Sequence, residues 1–212
     1  MTLRQRSSAQ KMVQQVKGGI EMGMDLDKLR EHVRGILEAL GEDPDRPGLA
    51  ETPDRVARMY QEVFEGIQYT NDEIAEMFNK TFPITEGTKK DIVLVRDIGA
   101  FSYCEHHMAL MYDMKISVAY VPTDRVIGIS KIARVADMVC KRLQLQERIG
   151  ADIAEIIGKI AGTEDVAVLI TGKHSCMTAR GIHNMSSETV TLTVRGAFET
   201  DHSLKDQILA LK

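Results

Sequence analysis

Met114-Lys115-Ile116-Ser117-Val118-Ala119-Tyr120 alternates Met, Ile, Val and Tyr with polar or small residues. A period of two belongs to a strand with one face buried. Before it, residues 91–98 are rich in Val and Ile and read as another strand. After it, Arg125 to Ile129 reads as a strand folding back onto it as a hairpin, across a loop at Pro122-Thr123-Asp124. Ser130 then reads as the cap of a helix running through Ile132, Val135, Ala136, Val139 and Leu143, with a second helix over Gln146 to Ile160. Strands return at Val166 to Thr171 and Thr189 to Arg195. The order, strands followed by a helix pair and then two further strands, predicts an α+β fold, an antiparallel sheet backed by a helix pair. A doubly wound parallel sheet would alternate the two element types.

Ahead of the sheet the chain is helical in pattern. Leu26, Leu29, Val33, Ile36, Leu37 and Leu40 recur at three- and four-residue spacings after Asp25, and Gly41 follows as a stop. Residues 41–49, with Pro44 and Pro47, form a turn-rich connector. Thr52-Pro53 reads as an N-cap followed by proline at the first helical position, opening a helix through Val56, Met59, Tyr60 and Val63. A short helix is expected over Asp72 to Phe78, and residues 1 to about 24 read as a mobile or weakly helical arm. The chain therefore divides into an N-terminal helical region, 1–88, and a sheet-bearing domain, 89–212.

Composition excludes several classes of function. A formal net charge of −4 over 212 residues argues against non-specific nucleic-acid binding, which needs a basic surface, but leaves room for a local anion pocket. Three cysteines, an odd number, make no disulfide framework. The start, Met1 to Arg6, is basic without a following apolar stretch, and no apolar run approaches membrane-spanning length. The expected compartment is the cytoplasm.

The chemistry is concentrated in Cys104-Glu105-His106-His107 and, much later, His174-Ser175-Cys176. Two residues separate Cys104 from His107, so one tight turn can aim both side chains at a single metal ion, with Cys176 brought in by the fold. Thiolate and imidazole suit Zn²⁺, and three protein ligands leave a position for water, the pattern of a catalytic site. Fe²⁺ and Mn²⁺ are also compatible with it. The plainer alternative is a buried thiol, a surface histidine pair and an unrelated second thiol. Cys140 matches no ligand position and reads as a buried apolar thiol, while His32, His183 and His202 read as structural or surface residues.

Several blocks, in order, resemble the GTP cyclohydrolase I family. They are Arg46 to Leu49 with Thr52 to Ala57, the Cys104–His107 run, Ala119 to Pro122, Val126 to Arg134, Gln144 to Arg148, and His174 to Gly181. The resemblance extends from about Leu29 to the C-terminus. It implies the tunnelling fold, in which an antiparallel sheet with two helices is multiplied around a ring into a barrel, and a homodecamer of two stacked five-membered rings. It implies one zinc per subunit on Cys104, His107 and Cys176, with proton transfer by His106 and His174. Glu147 is implied as the guanine-reading carboxylate, assisted by Gln146, with Ser130, Lys131, Arg134 and Arg180 on the triphosphate. Arg55 resembles an arginine that reaches a neighbouring subunit's triphosphate.

The activity so implied is hydrolytic opening of the guanine imidazole ring of GTP, giving 7,8-dihydroneopterin triphosphate and formate at the start of pterin and tetrahydrofolate synthesis. The alternatives are another tunnelling-fold pterin or deazapurine enzyme, or a non-catalytic zinc-binding module. Two stretches depart from the family pattern. Ile149-Gly150 stands where Leu-Thr is usual, so the first turn of that helix is expected to differ, and Met108 to Asp113 lacks a usual glycine.

Overall fold

A computed structural model describes residues 23–84 and 91–210. Most of the expected N-terminal arm, and the expected boundary between residues 88 and 89, lie outside the described residues. The chain forms two compact units, 1–61 and 62–212.

In the first unit, α1 (Leu26–Ala39) opens where the Asp25 carboxylate accepts the backbone N–H of Lys28 at 3.0 Å. It ends before Gly41, whose φ of 84° is the left-handed conformation that favours glycine at a helix C-terminus. The predicted stop is the observed one. Arg30 bonds Asp54 at 2.9 Å and Arg34 bonds Asp45 at 2.7 Å, so ion pairs tie α1 to the segments that follow it. The next helix, α2 (Thr52–Val63), already includes Thr52, with Pro53 in its first turn.

The second unit opens with α3 (Asn71–Met77), started by a reciprocal capping box between Thr70 and Glu73. The elements after it are β1 (Thr81–Pro83), β2 (Val93–Cys104), β3 (Ala109–Tyr120), β4 (Arg125–Ile127), α4 (Ile129–Cys140), β5 (Leu143–Gln144) and α5 (Gln146–Ala161). They are followed by β6 (Val166–His174), α6 (Ser175–Thr178), β7 (Thr189–Val194), α7 (Ala197–Thr200) and α8 (His202–Leu209). The five-stranded sheet runs β5-β2-β3-β6-β7. The α+β class and the helix pair agree with the sequence reading.

Three local expectations are corrected. Arg125 to Ile127 does not return onto β3 but pairs antiparallel with β1 in a separate two-stranded sheet. Both edges of β3 are already taken by β2 and β6, so no edge is left for it. Its tether is instead Tyr120, a fully buried side chain whose hydroxyl accepts the Ile127 N–H at 2.8 Å. Ser130 is not the helix cap: α4 is preceded by Gly128, which makes no side-chain capping bond, and Ser130 is exposed in the first turn. The same helix stops at Cys140, because Leu143 and Gln144 leave it to form β5. That strand pairs parallel with Tyr103 and Cys104, so the sheet is not wholly antiparallel.

The alternation in β3 decides the core. Ile116 and Val118 face α4 and α5, meeting Ile132, Val135, Ile149, Ile153 and Ile157 in one cluster with Val168 and Ile170. Each fully buried isoleucine there contributes roughly 1.5–3 kcal/mol. Ala119, Ala167 and Leu169 face the other way, against Phe198 and Ile208. The Ile149-Gly150 departure has a steric account. A Cβ on Gly150 would stand 2.4 Å from Thr193 Oγ1, so glycine lets an unbroken α5 lie directly on β7.

Strands β2 and β3 run beyond their predicted limits into the cysteine–histidine motif. Their register shifts between Val95 and Ile98 and between Ala100 and Ser102, and β3 shifts against β6 between Tyr112 and Lys115. Asp97 and Asp113 adopt φ of 55° and 51° at these irregularities. Extra residues in a ladder bend a strand and break its period, which hides it from pattern reading.

Candidate active site

The run Cys104–His107 is delivered by a hairpin. Cys104 ends β2 and pairs with Ala109 at the start of β3, and Glu105 to Met108 make the turn between them. Met108 closes that turn at φ 49°, a conformation uncommon outside glycine. Cys104 is buried, whereas His106 and His107 stand exposed at the tip. The Cys104 thiol lies 3.8 Å from Nδ1 of His106.

His174 ends β6, one residue short of α6, which carries Cys176. The Tyr112 hydroxyl bonds Thr178 Oγ1 at 3.2 Å and ties α6 to β3. Beyond α6, Arg180 donates to Nε2 of His107 at 2.7 Å. The two distant motifs thus meet at one end of the sheet. Arginine stays protonated, so the His107 nitrogen in this bond is the acceptor.

The start of α5 supplies the floor. Gln146 is buried, and its amide oxygen faces Nε2 of His174 at 2.9 Å. Burial holds the His174 imidazolium pKa below the usual histidine value, and the nearby Glu147 charge opposes that shift. Glu147 itself is exposed. Arg148 grips Glu105 with two hydrogen bonds, of 2.6 and 3.3 Å, linking the Cys104–His107 turn to the helix that carries Glu147. The Arg148 guanidinium holds the Glu105 carboxyl below its ordinary pKa.

Behind the floor lies a second, drier ion pair. Arg142 and Asp152 meet at 2.9 Å with side chains 14% and 17% exposed. Arg142 also bonds Asn71 Oδ1 at 2.8 Å and the carbonyls of Tyr69 and Gly66 at 2.8 and 3.1 Å. Gln144 bonds Asp152 at 2.8 Å, so the chain entering α5 is fixed from inside.

Ser130 and Lys131 sit in the first turn of α4, with exposed Arg134 one turn further on. Arg55 lies in the first unit, where it pairs with Glu51 at 2.6 Å. Direct contacts pair Cys104 with His106, His107 with Arg180, and His174 with Gln146. Among the described residues, however, no group of three or more His, Cys, Asp or Glu is placed to hold a metal ion. His107 faces Arg180, and Cys104 faces His106.

Sequence reasoning gave no role to Tyr112, Arg148 or Gly172. The last had a legible signal, since an isolated glycine inside a strand marks a close approach. A Cβ there would lie 2.9 Å from Met114 Cγ and 3.4 Å from Gln146 Oε1. Cys140 is the buried thiol expected, 1% exposed in the core cluster.

A family model described as GTP cyclohydrolase I matches residues 29–212. The chain is 64% identical over 193 residues to GTP cyclohydrolase 1 of Ruminiclostridium cellulolyticum, covering 90% of this chain and 99% of the relative. It is 57% identical to the Clostridium acetobutylicum GTP cyclohydrolase 1 and 56% identical to one from Clostridium botulinum, in each case over 90% of this chain and 98% of the relative.

Proposed function

The chain belongs to the GTP cyclohydrolase I family, and from that premise we propose how its own residues carry out the reaction. The enzyme hydrolyses the guanine imidazole ring of GTP, releasing formate and giving 7,8-dihydroneopterin triphosphate for pterin and folate synthesis. One observation carries the site-level reading: the Arg180–His107 bond brings the 174–180 segment onto the Cys104–His107 turn.

Zinc is assigned to Cys104, His107 and Cys176, one ion per subunit. The donor chemistry supports this, since two thiols and an imidazole form a set zinc prefers. A bound Zn²⁺ supplies a nucleophile near neutral pH by lowering the pKa of water to about 7. To serve as ligands, His107 must exchange Arg180 for the metal and Cys104 must turn from His106. The first change is a side-chain rotation at the exposed tip, and the second takes place at the buried end of β2.

His106 and His174 transfer the protons that hydration of carbon 8, ring opening and formate loss require. Histidine suits the task because its pKa lies near neutrality. The Glu147 carboxylate accepts the ring N–H and exocyclic amine of guanine, a donor pair adenine lacks. Ser130, Lys131, Arg134 and Arg180 receive the triphosphate, with the uncapped N–H groups of α4 beside the first two.

No helix among the described residues is long and apolar enough to cross a membrane, and we place the enzyme in the cytoplasm. Residues 89–212 are assigned as the tunnelling-fold catalytic part and 1–88 as its helical region. The outer strands β5 and β7 leave sheet edges that ring closure would cover, which supports a decamer of two pentameric rings. In that assembly Arg55 serves a neighbour's site. Mixed rings of Arg55→Ala and Cys104→Ala subunits should then regain activity that neither has alone; no rescue in demonstrably mixed rings would refute shared sites. For the chemistry, metal analysis of the purified chain should find zinc, and GTP but not ATP should release formate. A Glu147→Gln protein that uses GTP normally would move guanine reading elsewhere.

A further inference from the structure

Gln146, implied by the resemblance as an assistant in guanine reading, is 1% exposed. Its side-chain nitrogen faces three oxygens: the Ile170 carbonyl at 3.2 Å, the Thr189 carbonyl at 3.1 Å and the Thr191 hydroxyl at 3.3 Å. Carbonyls only accept hydrogen bonds. The amide therefore must present its NH₂ end to them, because the flipped amide would set oxygen against oxygen. This commits the Gln146 oxygen to the opposite side, where it lies 2.9 Å from Nε2 of His174.

An amide oxygen also only accepts, so His174 must carry its hydrogen on Nε2. In a neutral imidazole that leaves the lone pair on Nδ1. The room for this arrangement comes from Gly172, whose missing side chain would otherwise press on Met114 and on the Gln146 oxygen. The chain of constraint runs from sheet carbonyls, through one buried amide, to the tautomer of one histidine.

We infer that Gln146 is a positioning residue, holding His174 in the Nε2–H form so that Nδ1 is the nitrogen that takes and returns protons. This rests on the proton-transfer role proposed for His174. Both N–H groups of the Gln146 amide are engaged by the sheet, so its side chain has no donor left for the purine.

The test is imidazole ¹⁵N NMR on the zinc-loaded full chain, with steady-state formate release from GTP measured on the same preparations. Wild-type His174 should show a protonated Nε2 and a bare Nδ1. Gln146→Met, which keeps the shape and removes the acceptor, should lose that signature and lower kcat by about 10- to 100-fold, with KM for GTP nearly unchanged. In Gln146→Glu the carboxyl must be protonated to face the Ile170 and Thr189 carbonyls; in that form its other oxygen returns an acceptor to His174 and should restore the signature. Protonated Nδ1 in the wild type would overturn the inference, and that spectrum needs no variant to fold. A raised KM with kcat and tautomer intact in Gln146→Met would likewise overturn it, returning Gln146 to guanine reading. A His174→Ala enzyme running at the wild-type rate would instead sink the proton-transfer reading while leaving the tautomer result standing.

Discussion

The floor of the site and its tip are built on different principles. At the floor, Gln146 and the Arg142–Asp152 pair are shielded from water and saturated with hydrogen bonds to backbone carbonyls and neighbouring side chains. At the tip, His106, His107 and Arg180 are exposed and hold one another or their neighbours by single contacts. A buried, saturated group is costly to disturb, whereas an exposed pair is exchanged at little cost. The fold thus fixes the geometry of the floor in advance and leaves the partners at the tip exchangeable.

The sharpest test of that contrast is at the tip. Cys176→Ala should bring both zinc content and formate release to background while leaving the melting temperature of the metal-free chain nearly unchanged. Full zinc occupancy in that variant would break the three-ligand assignment. Next, His174→Ala and His106→Ala should keep the metal and lose about 10²–10⁴ in kcat. Near-normal turnover in either would remove that histidine from the chemistry.

At the floor the loss should appear in stability rather than in chemistry alone. Asp152→Ala strands the Arg142 guanidinium in a dry pocket and should cost about 3–5 kcal/mol in urea unfolding. A cost near that of a surface pair would mean the pocket is wet. A pH test comes from the helix behind it, where burial pushes the Cys140 thiol up to about 12 against an ordinary value of 9.0. The folded chain then keeps a proton that the unfolded chain releases, so stability should fall between about pH 9 and 12, by up to about 1.4 kcal/mol per pH unit. Below pH 9 this group should contribute no slope. Cys140→Ala should flatten the alkaline decline, and an unchanged decline would assign it to other groups. The smallest effect belongs to exposed pairs such as Arg55–Glu51, where Glu51→Gln should change stability by less than about 1 kcal/mol.

The same contrast explains what could be read in the sequence. The helical spacing of α5 follows from one-sided burial, and the period of two in Met114 to Tyr120 from large side chains on the helix-facing side alternating with the small Ala119 on the other, so pattern alone reveals them. The cysteine–histidine blocks are legible because few residue types serve the metal and proton chemistry proposed for them, and both blocks are short and contiguous. The lower halves of β2 and β3 were hidden by bulges at Asp97 and Asp113, which destroy the alternation where the strands approach the site. The pairing of β4 with β1 depends on which edges remain free, a property of the whole sheet that no local window contains. Gln146 illustrates the remaining gap. Its residue type announces hydrogen bonding, but its direction is set by carbonyls 24 and 43 residues away.

The second core face, where Phe198 and Ile208 cover Ala119, Ala167 and Leu169, also sets an order of assembly. The surface that receives α7 and α8 does not exist until β3 and β6 have paired across some fifty residues of chain. Those two helices can dock only on a finished sheet, and their loss leaves its opposite core intact. Residues 197–209 should therefore act as a separate opening unit in amide hydrogen exchange, the last to gain protection during refolding and the first to surrender it in mild denaturant.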